Sequence, residues 1–203
     1  MNGGTVNHCK NKAQIKATTQ DCDYLGGILG FNEDGYIKDC VNEGEIIGNN
    51  QIGGIAGEND GFDGHGYIER CINLGNIKGN EIVGGITGEN HRTASIINCE
   101  NIGHITGNEY AGGISGAAGV LEKDKKEIRY CINIGKIECD SYGNAIVGAL
   151  YAASSGVITA QWVKSGNNWY YVDANGKMVT GDYKINKKVY RFDANGVWLG
   201  LDN

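Results

Sequence analysis

Proline is absent from the 203 residues, methionine occurs twice and phenylalanine three times. Without proline and without a G-X-Y period, the 34 glycines do not belong to a collagen-like triple helix. No stretch of about 18 apolar residues occurs, so no membrane insertion is expected. Basic residues are too few for a nucleic-acid footprint: 18 Lys and Arg stand against 24 Asp and Glu, a formal charge of −6. The N-terminus, Met1-Asn2-Gly3-Gly4, has neither a basic nor an apolar segment, so no signal peptide is expected in the chain as it stands. Neither C-x-x-C nor H-E-x-x-H occurs, which removes the ligand spacing of zinc sites and the signature of a metalloprotease. Hydrophobics at 40% and charge at 21% nevertheless describe a chain that folds.

What is present is repetition. Leu25–Asn32 reads LGGILGFN, Ile52–Asn59 IGGIAGEN, Val83–Asn90 VGGITGEN and Ala111–Ala118 AGGISGAA, with a decayed copy at Gly143–Leu150. A second motif, I-x-x-C-x-N-x-G-x-I-x-G, follows each of the first four copies and also opens the chain. It sets Cys9, Cys40, Cys71, Cys99 and Cys131 at spacings of 31, 31, 28 and 32. Asn11, Asn42, Asn73, Asn101 and Asn133 keep step two residues later. No 3.6-residue apolar stripe of useful length precedes residue 158, and glycine at this density would cost a helix about 1 kcal/mol per site. Isoleucine bounded by Gly and Asn fits short strands and turns. The fold class read here is all-β: residues 1–158 form a parallel β-helix of about five coils with two or three short strands each. Right-handed winding follows the general crossover preference.

Stacking places each residue about 4.8 Å above its equivalent. The Cys column becomes a line of buried reduced thiols, with Cys22 and Cys139 outside it. The Asn column becomes an amide ladder. Residues 33–36 and 91–95 are short connections and 60–67 and 119–127 longer ones. Solenoid insertions map to one side, which makes that side the candidate contact surface. Asp39 with Arg70, and Lys38 with Glu69, share columns and read as surface ion pairs of about 0–1 kcal/mol each. The mixed-sign run Glu122–Glu127 reads as a solvated loop. The linked GGIxG and C-x-N-x-G-x-I-x-G motifs over residues 5–150 resemble the GLUG-type repeats of bacterial surface proteins, including those beside immunoglobulin-A-cleaving metalloproteases. The resemblance implies a surface module and does not imply catalysis.

The composition changes after residue 158. All three Trp lie in the tail, in two units, QWVKSGNNWYYVDANGKMVTG (161–181) and DYKINKKVYRFDANGVWLG (182–200). Each carries D-A-N-G, a turn signal, and residues 159–203 read as two β-hairpins with a short outer strand each. This segment resembles the choline-binding, or cell-wall-binding, repeats of Gram-positive surface proteins. The resemblance implies an aromatic cage of Trp162, Trp169 and Tyr190 with Met178 nearby. It also implies choline-bearing teichoic acid or another cell-wall glycan as partner, and a secreted protein at the wall surface. Asp182 and Val189 stand where the family has Trp, and Arg191 where it has Tyr, so one cage at most can form. The other reading is that the aromatic residues are simply hairpin core and a cap on the solenoid end.

No catalytic residues, metal site or cofactor are expected. The four His fall at different repeat positions, and His65 and His91 read as solvated. The acidic loop Glu58–Asp63 lacks the spacing of a calcium loop. Neither the column Asp39, Arg70, Asn98, Tyr130 nor the column Lys38, Glu69, Ile97, Arg129 assembles the paired carboxylates of a β-helix glycosidase. The function read here is a non-enzymatic surface binding module or adhesin, its variable loops offered to a host protein or glycan. The alternative is a carbohydrate-active enzyme, or the non-catalytic portion of a larger surface hydrolase or protease. An open first coil exposes strand edges, so either something caps it or chains associate end to end.

Overall fold

A computed structural model describes residues 3–19, 21–119, 128–144, 147–150, 161–165, 168–173 and 178–201. Among these every regular element is a β-strand. The repeats fold as rungs of a parallel β-solenoid, with five sheets along its length that each take one strand from every coil. Coil 2 shows the pattern: Tyr36–Lys38, Val41–Asn42, Ile46–Ile47, Asn50–Gly53 and Ala56–Gly61. The five coils span residues 5–33, 36–61, 67–92, 95–118 and 128–150, four steps from first rung to last. Five strands per coil replace the two or three expected. Strands as short as Val41-Asn42 leave no alternating pattern to read.

The corners between strands are themselves a column. His8, Asp39, Arg70, Asn98 and Tyr130 all adopt left-handed φ values of 52–55°. Asn, Asp and His tolerate this region, whereas Arg and Tyr occupy it only where the surroundings enforce it. Arg70 is held there in part by two hydrogen bonds to Asp39, at 2.7 and 2.9 Å. The same guanidinium keeps the Asp39 carboxyl below its ordinary value. Glu69 does not turn to Lys38, as its column suggested; its carboxylate pairs with Arg70.

The register stacks identical side chains. Ile37 lies beside Ile68 and Ile68 beside Ile96, all buried. Asn11 donates to Asn42, Asn42 to Asn73, Asn73 to Asn101 and Asn101 to Asn133, at 2.8, 2.8, 2.7 and 2.7 Å. The second NH of each amide returns to a backbone carbonyl two residues on, as Asn73 does to Gly75 at 2.8 Å. A second ladder runs through the Asn that closes each glycine motif: Asn32 to Asn59 at 2.7 Å and Asn59 to Asn90 at 2.8 Å. It stops where the fourth copy has Ala118.

All seven cysteines are free; Cys40, Cys71, Cys99 and Cys131 are buried. Each of these thiols donates to the carbonyl two residues before it, at 3.2–3.4 Å. Burial pushes the Cys40 thiol up to about 11 and raises that of Cys99; hydrogen bonding to Cys99, then burial, raises that of Cys71. Thiolate is the reactive form, so these groups are protected twice, by access and by ionisation. Native protein treated with a thiol reagent at pH 8 is expected to be modified at Cys9, Cys22 and Cys139 only, and at all seven after denaturation. Mass spectrometry reads the adducts. Rapid native modification of Cys71 would contradict the packing.

The apolar interior has two parts. One holds Ile37, Cys40, Ile55 and their equivalents; the other holds Ile46, Ile52, Ile77, Val83, Ile105 and Ala111. The long Asn column lies where they meet, since Asn73 falls between Cys71 of the first and Ile77 of the second. The facing wall is glycine. A Cβ on Gly54 would stand 2.3 Å from the Gly85 carbonyl oxygen and 2.4 Å from the Asn73 amide carbon. Only a residue without a side chain lets the chain pass this close to the ladder.

The connections read as short or long from the sequence join the last strand of one coil to the first of the next. Asp34-Gly35 and Thr93-Ala94 are short and Phe62–Gly66 is longer. The run Glu122–Glu127 lies outside the described residues, as do the bridge at residues 156–160 and the domain boundary read at 158.

Candidate functional site

The tail is built from alternation. Gln161–Ser165 pairs antiparallel with Asn168–Val172, Trp162 opposite Tyr171 and Val163 opposite Tyr170. Period two sends Trp162, Trp169 and Tyr171 to one face and Tyr170 to the other. Tyr170 is buried and joins the solenoid core cluster, with Met178 and Val197 packed against it. One face of the tail contributes to the solenoid core, and the other gathers aromatic rings.

The second unit forms three strands, Gly181–Ile185, Lys188–Phe192 and Trp198–Leu201. Its first turn is Asn186-Lys187, both with positive φ, and its second is the D-A-N-G at Asp193–Gly196. Asp193 organises that turn by accepting from the backbone N–H of Asn195 and Val197, each at 2.8 Å. Within the first D-A-N-G, residues 174–176 lie outside the described residues. Asp182 and Arg191, at positions where aromatics were expected, face each other across the strands and pair at 3.0 Å. A cross-strand ion pair has replaced a ring contact at the exposed edge.

Trp162 is the hub. Its ring centroid lies 5.1 Å from Tyr190, 5.3 Å from Tyr171, 5.4 Å from Trp198, 5.7 Å from Phe192 and 6.5 Å from Trp169. Most of these contacts are edge-to-face, the arrangement the ring quadrupole favours. Val179, Ile185 and Phe192 form the buried base beneath. Burial, and then the charges of Tyr183 and Asp173, raise the Tyr171 hydroxyl above its ordinary value.

The structure brings Trp162, Trp169 and Tyr190 together. It places Met178 against the solenoid core cluster and under Gly196, where an added Cβ would stand 2.7 Å from the Met178 sulfur. Tyr171, Phe192 and Trp198 also pack on Trp162, and of these Trp198 is the exposed indole that the expected cage lacks. Its signal was present: aligning the two D-A-N-G units sets Trp198 on the position of Met178. Trp169 and Trp198 are 40% and 36% exposed, so two indole surfaces stand open beside the half-buried hub.

Residues 159–197 match a family model described as a choline-binding repeat. No curated protein and no solved structure matches the chain. The tail is thus similar to repeats that bind choline in cell walls, which suggests association with a cell surface. Among the described residues no helix is long and apolar enough to cross a membrane.

Proposed function

We propose that the chain is a non-catalytic cell-surface binding module whose aromatic tail engages the choline of a Gram-positive wall polymer, choline-bearing teichoic acid or a related cell-wall glycan. The observation that carries this reading is the placement of Trp162, Trp169 and Tyr190 together inside the segment similar to the choline-binding repeat, with Trp198 one residue beyond it. A quaternary ammonium cannot donate hydrogen bonds, so aromatic faces are its natural receptor, at about 0.5–2 kcal/mol per contact. Trp162, Tyr190 and the open indoles of Trp169 and Trp198 supply such faces. One site binds weakly, and firm anchoring would draw on further copies through avidity. In this reading the solenoid is a GLUG-type surface repeat of a secreted protein. It acts as an adhesin, its one-sided loops facing a host protein or glycan.

Retention on choline-agarose and elution by free choline are expected for the intact chain, with retention lost in Trp162→Ala and sharply reduced in Trp169→Ala. Wild-type protein washing straight through would remove choline from the reading. The rival is a carbohydrate-active enzyme, which one observation favours: Glu58 and Glu89 are paired carboxylates on successive coils. Turnover of wall or host polysaccharides, abolished in Glu89→Gln, would put that reading in its place.

A further inference from the structure

In the strand Ala56–Gly61, Asn59 turns inward to the second amide ladder, so Glu58 and Asp60 share the outer face. Register then sets their neighbours on adjacent coils. Phe31, Glu58 and Glu89 form one outer column; Glu33, Asp60 and His91 form the next. This face is covered in part by the preceding strand layer. A Cβ on Gly88 would stand 2.4 Å from the Gln51 carbonyl carbon, so Asn50–Gly53 presses directly on Thr87–Arg92. The close approach lowers the Gln51 amide onto both glutamates: Nε2 donates to Glu58 Oε2 at 3.1 Å and to Glu89 Oε2 at 2.6 Å. The cavity left here measures about 470 Å³, with Tyr24, Phe31 and Phe62 among its walls.

Two of the acids are buried, Glu58 at 6% exposure and Asp60 at 3%. Asp60 Oδ2 pairs with Arg92, whose guanidinium rests over the Phe62 ring at 4.8 Å. Asp60 Oδ1 is buried with no hydrogen-bond partner. A carboxylate oxygen in that state is expensive unless something charged or donating reaches it. His91 Nδ1 lies 3.7 Å from Glu58 Oε1. One ligand atom from each of Glu58, Asp60 and His91 lies within 4.8 Å of the others. Four carboxylates, Glu33, Glu58, Asp60 and Glu89, surround the one guanidinium, which leaves the pocket strongly negative.

We propose that Glu58, Asp60 and His91 bind a divalent first-row metal ion, zinc in the first place, in this outer pocket. Two carboxylates and one imidazole suit zinc, whereas calcium calls for six to eight oxygens. Ligand bonds of about 2.0–2.2 Å need only side-chain rotations to close on an ion from the present spacing. Three protein ligands leave a fourth position open toward the cavity. Gln51, bridging Glu58 to Glu89, holds the first ligand in place as an outer hydrogen-bond partner. The sequence hid this site because its ligands are close along the solenoid axis and not along the chain: Glu58 and Asp60 belong to one coil and His91 to the next.

The test uses the full chain with Cys9, Cys22 and Cys139 alkylated, so that accessible thiols do not compete for zinc. Calorimetric titration with zinc chloride is expected to saturate at one equivalent per chain. His91→Ala and Asp60→Asn should each weaken binding about tenfold or more. Glu81→Gln, an acid outside the pocket, should leave it unchanged. His91 is partly exposed, so its alanine variant tests the ligand without emptying the core, and circular dichroism checks the fold of every variant. No saturable zinc binding to the folded chain overturns the proposal. Binding undiminished in folded His91→Ala, or calcium displacing zinc at equal concentration, overturns it as well.

Discussion

Asn73→Ala is expected to lower the unfolding free energy by about 3–5 kcal/mol, read by chemical denaturation. The side chain is fully buried and makes three hydrogen bonds: to the Gly75 carbonyl at 2.8 Å, to Asn101 Oδ1 at 2.7 Å and from Asn42 Nδ2 at 2.8 Å. Alanine removes all three and leaves partners on two other coils short of a bond. Each buried polar group left unmatched costs about 1–3 kcal/mol, partly recovered by relaxation. Asn11→Ala is the internal comparison. Asn11 lies on the first coil, partly exposed, and hands one bond to Asn42 at 2.8 Å, so water can replace what is lost. Its cost should be about 1 kcal/mol. Equal losses at the two positions would mean that burial of the ladder has no energetic role.

Gly54→Ala is expected to be at least as damaging. A side-chain carbon there would meet the Gly85 carbonyl oxygen at 2.3 Å and the Asn73 amide at 2.4–2.5 Å, where real Cβ atoms do not approach under 3.0 Å. Neither neighbour is the loose end of a flexible side chain. The coil must separate from the next or the amide must leave the ladder, and in the second case the cost of overpacking adds to that of broken hydrogen bonds. A loss of about 4 kcal/mol, or a fall in melting temperature of about 10 °C, is expected for a chain of this size. Gly4→Ala, with nothing within 4 Å of its Cβ, should fall within about 0.5 kcal/mol of wild type. Thermal melts of the two variants decide the matter, and similar melts would show that the glycine wall is not closely packed.

Column reasoning carried far because a solenoid converts sequence period into contact. Once Cys40, Cys71, Cys99 and Cys131 are set one above another, the Asn residues two positions on must follow, and the backbone register follows with them. It faltered where information lies within a coil. Nothing in Lys38-Asp39-Cys40 announces a left-handed corner, because Asp39, Arg70, Asn98 and Tyr130 share no chemistry that would show it. Two-residue strands have no period. The outer pocket is illegible in the sequence for another reason. The repeated Glu of IAGEN and ITGEN is plain in the sequence, but along the chain the acids form only the loop Glu58–Asp63, while their approach to Glu89 and His91 runs down the column. In the tail, the family resemblance puts Met178 of the first unit near the cage, while the equivalent position of the second unit holds Trp198.

The two Asn ladders have a direction. In both, every amide passes its N–H to the following coil and turns its oxygen to the preceding one. Backbone hydrogen bonds between coils alternate, Ile72 N–H reaching back to Cys40 and Ile77 N–H reaching forward to His104, so their dipoles cancel. The side-chain amides do not alternate, and aligned hydrogen bonds polarise one another, by about 10–30% per bond. The rod is therefore electrically polar along its axis. Its positive pole lies toward the fifth coil, where an anion is favoured, and its negative pole toward the first, where a cation is.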